Sequence, residues 1–381
     1  MTAETSQGVR AAGPGIYFPG LNGIRAIAAM AVVASHTTQR LDEFGLDKFI
    51  FGIDADGSPK LVDLAGFGVT AFFALSGFLI TYLLLKERES QSIDVKKFYV
   101  RRALRIWPLY YAYLAVAVGV ALIGGHSIRP STLAFYVFYG ANIPFILHTT
   151  LPYLVHYWSL GVEEQFYLFW PWLARLSFPA FRTTILTLVV GVISTKSLLH
   201  FFVRGSLLEE IINVTEFHCM GIGALGACLY YERNGRALRI ANHRLVQWCA
   251  LGVFLLVAAN RFHVASFVDH EFIAIVTVVF IFGQIERTCI FSLEHAAFDY
   301  IGRISYGIYV LHPLVILALS RVLRFQSSTI PAYLLIYAAV SACAIGAAHL
   351  SFEVFEKKFL RMKGRFTVVS SSSTRDPSGA A

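Results

Sequence analysis

The chain has 381 residues, of which 56% are hydrophobic and only 15% charged, with a mean hydropathy of +0.61. A soluble globular protein of that length carries more charge, so the composition excludes that class. The net charge of +8 does not point to nucleic acid, because no basic stripe interleaved with aromatics occurs and the Lys and Arg residues gather between apolar runs.

Apolar runs of about 17 to 25 residues recur along most of the chain without period-2 alternation, which predicts an all-α integral membrane protein rather than a β-barrel. We read a bundle of about ten transmembrane helices, at 21–38, 64–85, 106–124, 158–174, 184–203, 214–231, 245–260, 267–285, 303–323 and 332–352. An eleventh candidate, Thr132 to Leu147, is short and broken by Asn142 and Pro144. With it excluded, about 22 Lys and Arg residues lie on the side of the N-terminus and about 8 opposite, so the positive-inside rule puts both termini in the cytoplasm. Residues 1–17 carry no short apolar stretch with a small-residue cleavage site and are expected to be a disordered tail ahead of an uncleaved first helix. The transmembrane domain is expected over 18–356, and the Ser-rich stretch 364–381 reads as a second disordered tail.

The first span carries Arg25 and His36 inside an otherwise apolar run. Eleven residues at about 100° each make three turns plus about 20°, so the two share one face about 17 Å apart. Arg25 could snorkel at the helix end; His36, among Ala and Val, has no such escape and reads as functional. The following loop, Gln39 to Asp63, is acid-rich, which agrees with an outside position. In the second span Ser76-Gly77 reads first as close helix packing, with a substrate contact through Ser76 as the alternative. The cluster from Lys96 to Pro108 is explained by topology anchoring, but Arg102 and Arg105 are three apart and would point the same way, two guanidinium forks suited to a phosphate-rich ligand.

The fourth span opens with Trp158 to Tyr167 and holds the adjacent carboxylates Glu163 and Glu164, which diverge by about 100°, so only one can face a given pocket. A carboxylate there could orient or charge-balance a histidine. Gly221, Gly223, Gly226 and Ala227 in the sixth span read as a packing patch. In the ninth span Tyr309 and His312 share a face ahead of Pro313. The five cysteines show no CxxC or zinc-ligand spacing, so no metal is expected, and no GxSxG, Walker or HExxH motif occurs.

Five stretches in order, LNGIRAIAAMAVVASH, FFALSGFLIT, RRALRIWPLYY, WSLGVEEQFYLFWP and IGRISYGIYVLHPL, resemble the membrane-bound acyltransferase 3 family over nearly all of Phe18 to Glu356. Asn22 and Ala26 stand where many members have Asp and Gly. The resemblance implies a ten-helix inner-membrane (plasma membrane) enzyme that uses cytoplasmic acyl-CoA, usually acetyl-CoA, to O-acylate a carbohydrate or lipid-linked glycan in cell-surface or exopolysaccharide modification. It puts Arg25 and His36 at the family's essential Arg and His positions and Arg102 and Arg105 at its paired arginines.

On this reading the arginines hold the donor phosphates and His36 is the general base on the acceptor hydroxyl. From placement, Glu163 or Glu164 orients His36, and His312 or Tyr309 contacts the acceptor or the oxyanion. The rivals are a multi-span transporter or proton-coupled permease built on the same Arg, His and Glu residues, and a scaffold that only binds lipid-linked sugars. For topology, reporter fusions after Gly57 and near Pro144 are expected to report outside, and fusions after Glu89, near Gly235 and at Ala381 inside; a cytoplasmic report at Pro144 would mean that 132–147 spans after all.

Overall fold

The computed structural model describes residues 16–367 apart from 55, 56 and 266, together with 369, 371 and 372. A helix stands at each of the ten expected segments: α1 (Leu21–Gln39), α2 (Asp63–Ser90), α3 (Val95–Ile123), then, after α4 (Pro130–Val137) and α5 (Asn142–Ile146), α6 (Tyr157–Leu173) and α7 (Phe178–Phe202). The sixth segment is a pair, α8 (Leu207–Thr215) and α9 (Phe217–Tyr231), and the rest are α11 (Arg244–Ala258) after the short α10 (Gly235–Ala241), α12 (Asp269–Ile285), α14 (Ser305–Val322) after α13 (Ala296–Arg303), and α15 (Ile330–Ser351). A π-helical turn, Phe352–Glu356, leads from α15 into α16 (Lys357–Lys363). The segment 132–147 is no single helix but the short α4 and α5 with a break between them.

Six helical stretches of this membrane protein are long and apolar enough to cross a bilayer, and a seventh counts if α10 and α11, bent by 56°, form one span. Those that fall short are α1, α6 and α12. The first is diluted by Asn22, Arg25, His36 and its threonines, and the other two have 17 residues each and carry carboxylates. The shortfall thus sits in helices that hold polar side chains. The expected N-terminal tail lies outside the described residues except for Ile16 and Tyr17, and the Ser-rich tail is described only in part. There Ser371–Ser372 pairs in parallel with Ile16–Tyr17.

Two buried clusters make the core: one joins α2, α3, α6, α9 and α12, the other α1, α14 and α15. α1 lies between them, packed on α2, α13, α14 and α15. Glycines set the tightest crossings. A Cβ on Gly77 would collide with the backbone of Met220, one on Gly223 with the carbonyl of Ala74, and one on Gly302 with the carbonyl of Asn22. The packing patch on α9 does what its composition suggested, with Gly221 against Val189 and Gly226 against Val278. α3 is started by Asp94, which accepts a 3.0 Å hydrogen bond from the Lys97 N–H; that bond holds the Asp94 carboxyl below the usual range.

Gly77→Ala and Gly223→Ala are therefore expected to lower the melting temperature of the purified protein, since neither backbone can withdraw by a methyl group without strain of about 1–3 kcal/mol. Gly191→Ala and Gly252→Ala, which face open space within their helices, should leave it unchanged or slightly raised.

Candidate active site

Call the end of the bundle where α1 begins the lower end. Here Arg25 rises from the second turn of α1, and Arg102 and Arg105 from one face of α3, as their spacing predicts. With Ser76 of α2, Glu163 of α6 and Tyr306 and Tyr309 of α14 they line one chamber of about 90 Å³. It adjoins two wider cavities toward the lower end, of about 210 and 350 Å³, and Arg105 lines all three.

Among the described residues, none of the three guanidinium groups donates to a protein acceptor or lies in an ion pair. Arg102 lies instead over the Tyr167 ring, 4.7 Å from its centroid. Three cations in a low-dielectric chamber that holds one carboxylate, Glu163, leave positive charge in excess and call for an anion from outside the chain.

The adjacent pairs flagged in the sequence split their duties. Gly77 makes the backbone contact, while Ser76 turns into the chamber and hydrogen-bonds Glu163 and Tyr167, so the first reading of Ser76 as packing is corrected. Glu163 faces the chamber and is also bonded to Tyr167. Glu164 points elsewhere: it accepts from the Trp107 indole N–H at 3.3 Å, and its other oxygen is buried without a partner among the described residues.

Neither glutamate pairs with His36, contrary to the expectation of a carboxylate orienting it. The partner is another imidazole. His36 Nδ1 lies 2.7 Å from His312 Nε2, and His312 Nδ1 lies 3.2 Å from the carbonyl oxygen of Ile308. A carbonyl only accepts, so His312 carries its proton on Nδ1 and offers the lone pair of Nε2; His36 must then donate from Nδ1 and keep a lone pair on Nε2. His36 Nε2 has no partner among the described residues, and His36 lines an upper cavity of about 90 Å³ with Gln39, Arg40, Tyr153 and His156. With both ring nitrogens engaged, His312 has none left to contact an acceptor or an oxyanion.

A thin layer separates chamber and upper cavity. The Tyr309 hydroxyl donates to the His156 carbonyl at 2.9 Å and lies 2.5 Å from Ser159 Oγ, while the buried His156 ring lies 5.3 Å from that of His312. His156 was missed in the sequence because the fourth span was begun at Trp158. A signal existed: His156, Ser159 and Glu163 are three and four apart and so share a face. Among the described residues no three His, Cys, Asp or Glu side chains are grouped to hold a metal ion.

Residues 18–349 match the acyltransferase 3 family, described as an acyltransferase domain. The chain belongs to this family. It is similar to the peptidoglycan O-acetyltransferase OatA of Listeria monocytogenes, with 36% identity over 168 residues, 41% of this chain and 24% of that protein. A Staphylococcus aureus protein, named provisionally as an O-acetyltransferase, is 32% identical over 167 residues, 41% of this chain and 24% of its own length. A Bacillus subtilis protein, YrhL, named provisionally as a peptidoglycan O-acetyltransferase, is 33% identical over 168 residues, 41% and 23%. The match thus spans about a quarter of these relatives' length. No solved structure matches the chain.

Proposed function

We propose that this chain is an integral O-acyltransferase of the cell (inner or plasma) membrane, moving an acyl group, acetyl foremost, from cytoplasmic acyl-CoA to a hydroxyl of a carbohydrate or lipid-linked glycan. The observation that carries the reading is the pairing of two features on one helix: a chamber around Arg25 in which three guanidinium groups face a single carboxylate, Glu163, itself taken up by Ser76 and Tyr167, and, about 17 Å along α1, an imidazole with a free lone pair. Family membership supports acyl transfer, and the names of the similar proteins favour peptidoglycan among carbohydrate acceptors. Ten spans with both termini cytoplasmic would set the lower end, with its arginines, on the side where acyl-CoA is found.

In this reading Arg25, Arg102 and Arg105 bind the donor phosphates, and the thioester arm runs up the chamber past Glu163 and Ser76. The Tyr309–Ser159 layer must part for the acyl carbon to reach His36. His36 Nε2 takes the proton of the acceptor hydroxyl as its oxygen bonds to the thioester carbonyl carbon; the C–S bond then breaks, and the proton passes to the departing thiolate, giving ester and free CoA with His36 restored. His312 is a positioning residue: its Nε2 fixes the His36 tautomer and stabilises the imidazolium through the Nδ1–H bond, with the Ile308 carbonyl behind it. Pro313 lacks the N–H that would have bonded the Tyr309 carbonyl, which loosens α14 at this turn.

Incorporation of labelled acetate from acetyl-CoA into the cell-wall fraction tests the chemistry. His36→Gln keeps size and hydrogen bonding but cannot take a proton at neutral pH, so transfer should fall by roughly 10²–10⁴-fold at normal protein level and unchanged CoA binding. His312→Gln should lower kcat while sparing the donor KM. Substantial transfer by His36→Gln would overturn the base assignment, and wild-type membranes that consume no acyl-CoA would favour a permease.

Arg102→Lys and Arg105→Lys test the donor side. An ammonium is a point charge that cannot reproduce the bidentate fork, so the apparent donor KM should rise with little change in acceptor dependence. Wild-type donor kinetics in both variants would return this cluster to topology anchoring.

A further inference from the structure

Beyond the family match, which ends at residue 349, the chain continues through α16, and this segment closes the lower end of the cationic cavities. α16 packs on α3. Its end is tied down by Arg101, which donates to the Phe366 carbonyl and to Glu87, each at 2.9 Å. Among the described residues Arg101 is the one cation of the 101–105 group in an ion pair, with Glu87, and it holds the turn at Phe366 in place. Thr367 Oγ1 caps the same turn on the Lys363 carbonyl at 3.0 Å.

That anchoring delivers one side chain. Lys363 lines both the 210 Å³ and the 350 Å³ cavity, as does Leu360 one turn earlier, so this face of α16 is the partition between them. Lys363 shares these cavities with Arg101, Arg102, Arg105 and Arg25, and its ammonium has no ion pair or hydrogen-bond acceptor among the described residues: Glu87, in the first cavity, is taken by Arg101, and Glu356, in the second, accepts from Ser351. Its neighbours Arg361 and Arg365 are exposed. A lysine on a flexible stem normally turns to water; one held among guanidinium groups by a tied-down turn is stable when a multiply charged anion sits between them.

We propose that Lys363 is a further phosphate ligand of the donor site, supplied from outside the matched domain, and that the anion it shares with Arg102 and Arg105 is the phosphorylated nucleotide end of the acyl-CoA. This rests on the acyl-CoA reading of the chamber and adds its far end. Arg25 and Arg105 line the chamber that leads upward, so the phosphate-free arm runs away from Lys363. Losing Lys363 therefore weakens the nucleotide end and spares the thioester end.

The test is calorimetric binding to the full-length protein in nanodiscs, with CoA, 3′,5′-adenosine diphosphate and pantetheine as probes. Lys363→Gln should weaken CoA and the adenosine diphosphate by about tenfold, the effect of losing one charge-assisted hydrogen bond. Pantetheine binding should not change, and Lys363→Arg should restore most of the loss. Arg365→Gln removes the same charge at an exposed site and should leave all three unchanged. Unaltered CoA affinity in Lys363→Gln, an equal loss for pantetheine, or an equal loss in Arg365→Gln would overturn the assignment. So would a Lys363 dependence seen only when phosphatidylglycerol is added to phosphatidylcholine discs, because the anion would then be a lipid headgroup. If wild-type protein binds no CoA, the donor reading itself falls; if Arg105→Lys weakens CoA and Lys363→Gln does not, only the role of Lys363 does.

Discussion

Eleven residues of one uninterrupted helix hold Arg25 and His36 about 17 Å apart on one face, and the site is arranged around that separation. A helix without Pro or an internal break is close to a rigid ruler, so the cationic and imidazole ends cannot drift relative to each other. α1 is in turn fixed on several sides: α13 presses Gly302 onto the Asn22 carbonyl, α2 crosses it at Gly68, and α14 is joined to it by the imidazole pair. The proposed donor and acceptor ends of the reaction are thereby tied to a single element.

Charge in this protein is of two kinds, and the difference is informative. Away from the site, Lys196 pairs with Glu271 at 2.9 Å, with His218 2.8 Å from the same carboxylate oxygen, all three buried. Thr70 lies in the same way between Glu216 and His270. Lys196 and Glu271 neutralise each other inside the bundle, although His218 Nδ1 and the second Glu271 oxygen are buried without a hydrogen-bond partner among the described residues. Arg25, Arg102, Arg105 and Lys363 face cavities whose carboxylates are engaged elsewhere, Glu163 by Ser76 and Tyr167, Glu87 by Arg101 and Glu356 by Ser351, and such an arrangement tolerates its own repulsion best with water or an anion between the cations. The contrast fits the proposed division between structural charge and charge that meets a ligand.

The layer between chamber and upper cavity gives the proposed reaction its order. Tyr309, Ser159 and His156 form a hydrogen-bonded septum one helical turn below the His36–His312 pair. A thioester rising from below meets this septum before it meets the base, which keeps water in the upper cavity away from the reactive carbonyl until the septum moves. Pro313, one residue beyond His312, weakens the helix where such movement is needed.

Much of this was legible in the amino-acid sequence because the relevant periods are local. Helix positions follow from runs of apolar residues, and the shared faces of Arg25 with His36, Arg102 with Arg105, and Tyr309 with His312 follow from 3.6 residues per turn. Four matters were decided only by tertiary structure. Which of Glu163 and Glu164 faces the chamber depends on the rotation of α6 against its neighbours; the 100° between them says only that they differ. That His36 pairs with His312 rather than a glutamate depends on α1 and α14 meeting 276 residues apart in sequence. His156 meets the His36–His312 pair as the residue that caps the start of α6, just outside the apolar run, and Lys363 reaches the lower cavities because Arg101 pins a turn that no hydrophobic period marks. Local geometry is written in residue spacing, whereas the partners a side chain meets across helices are set by how the helices pack, and that packing is a property of the whole chain.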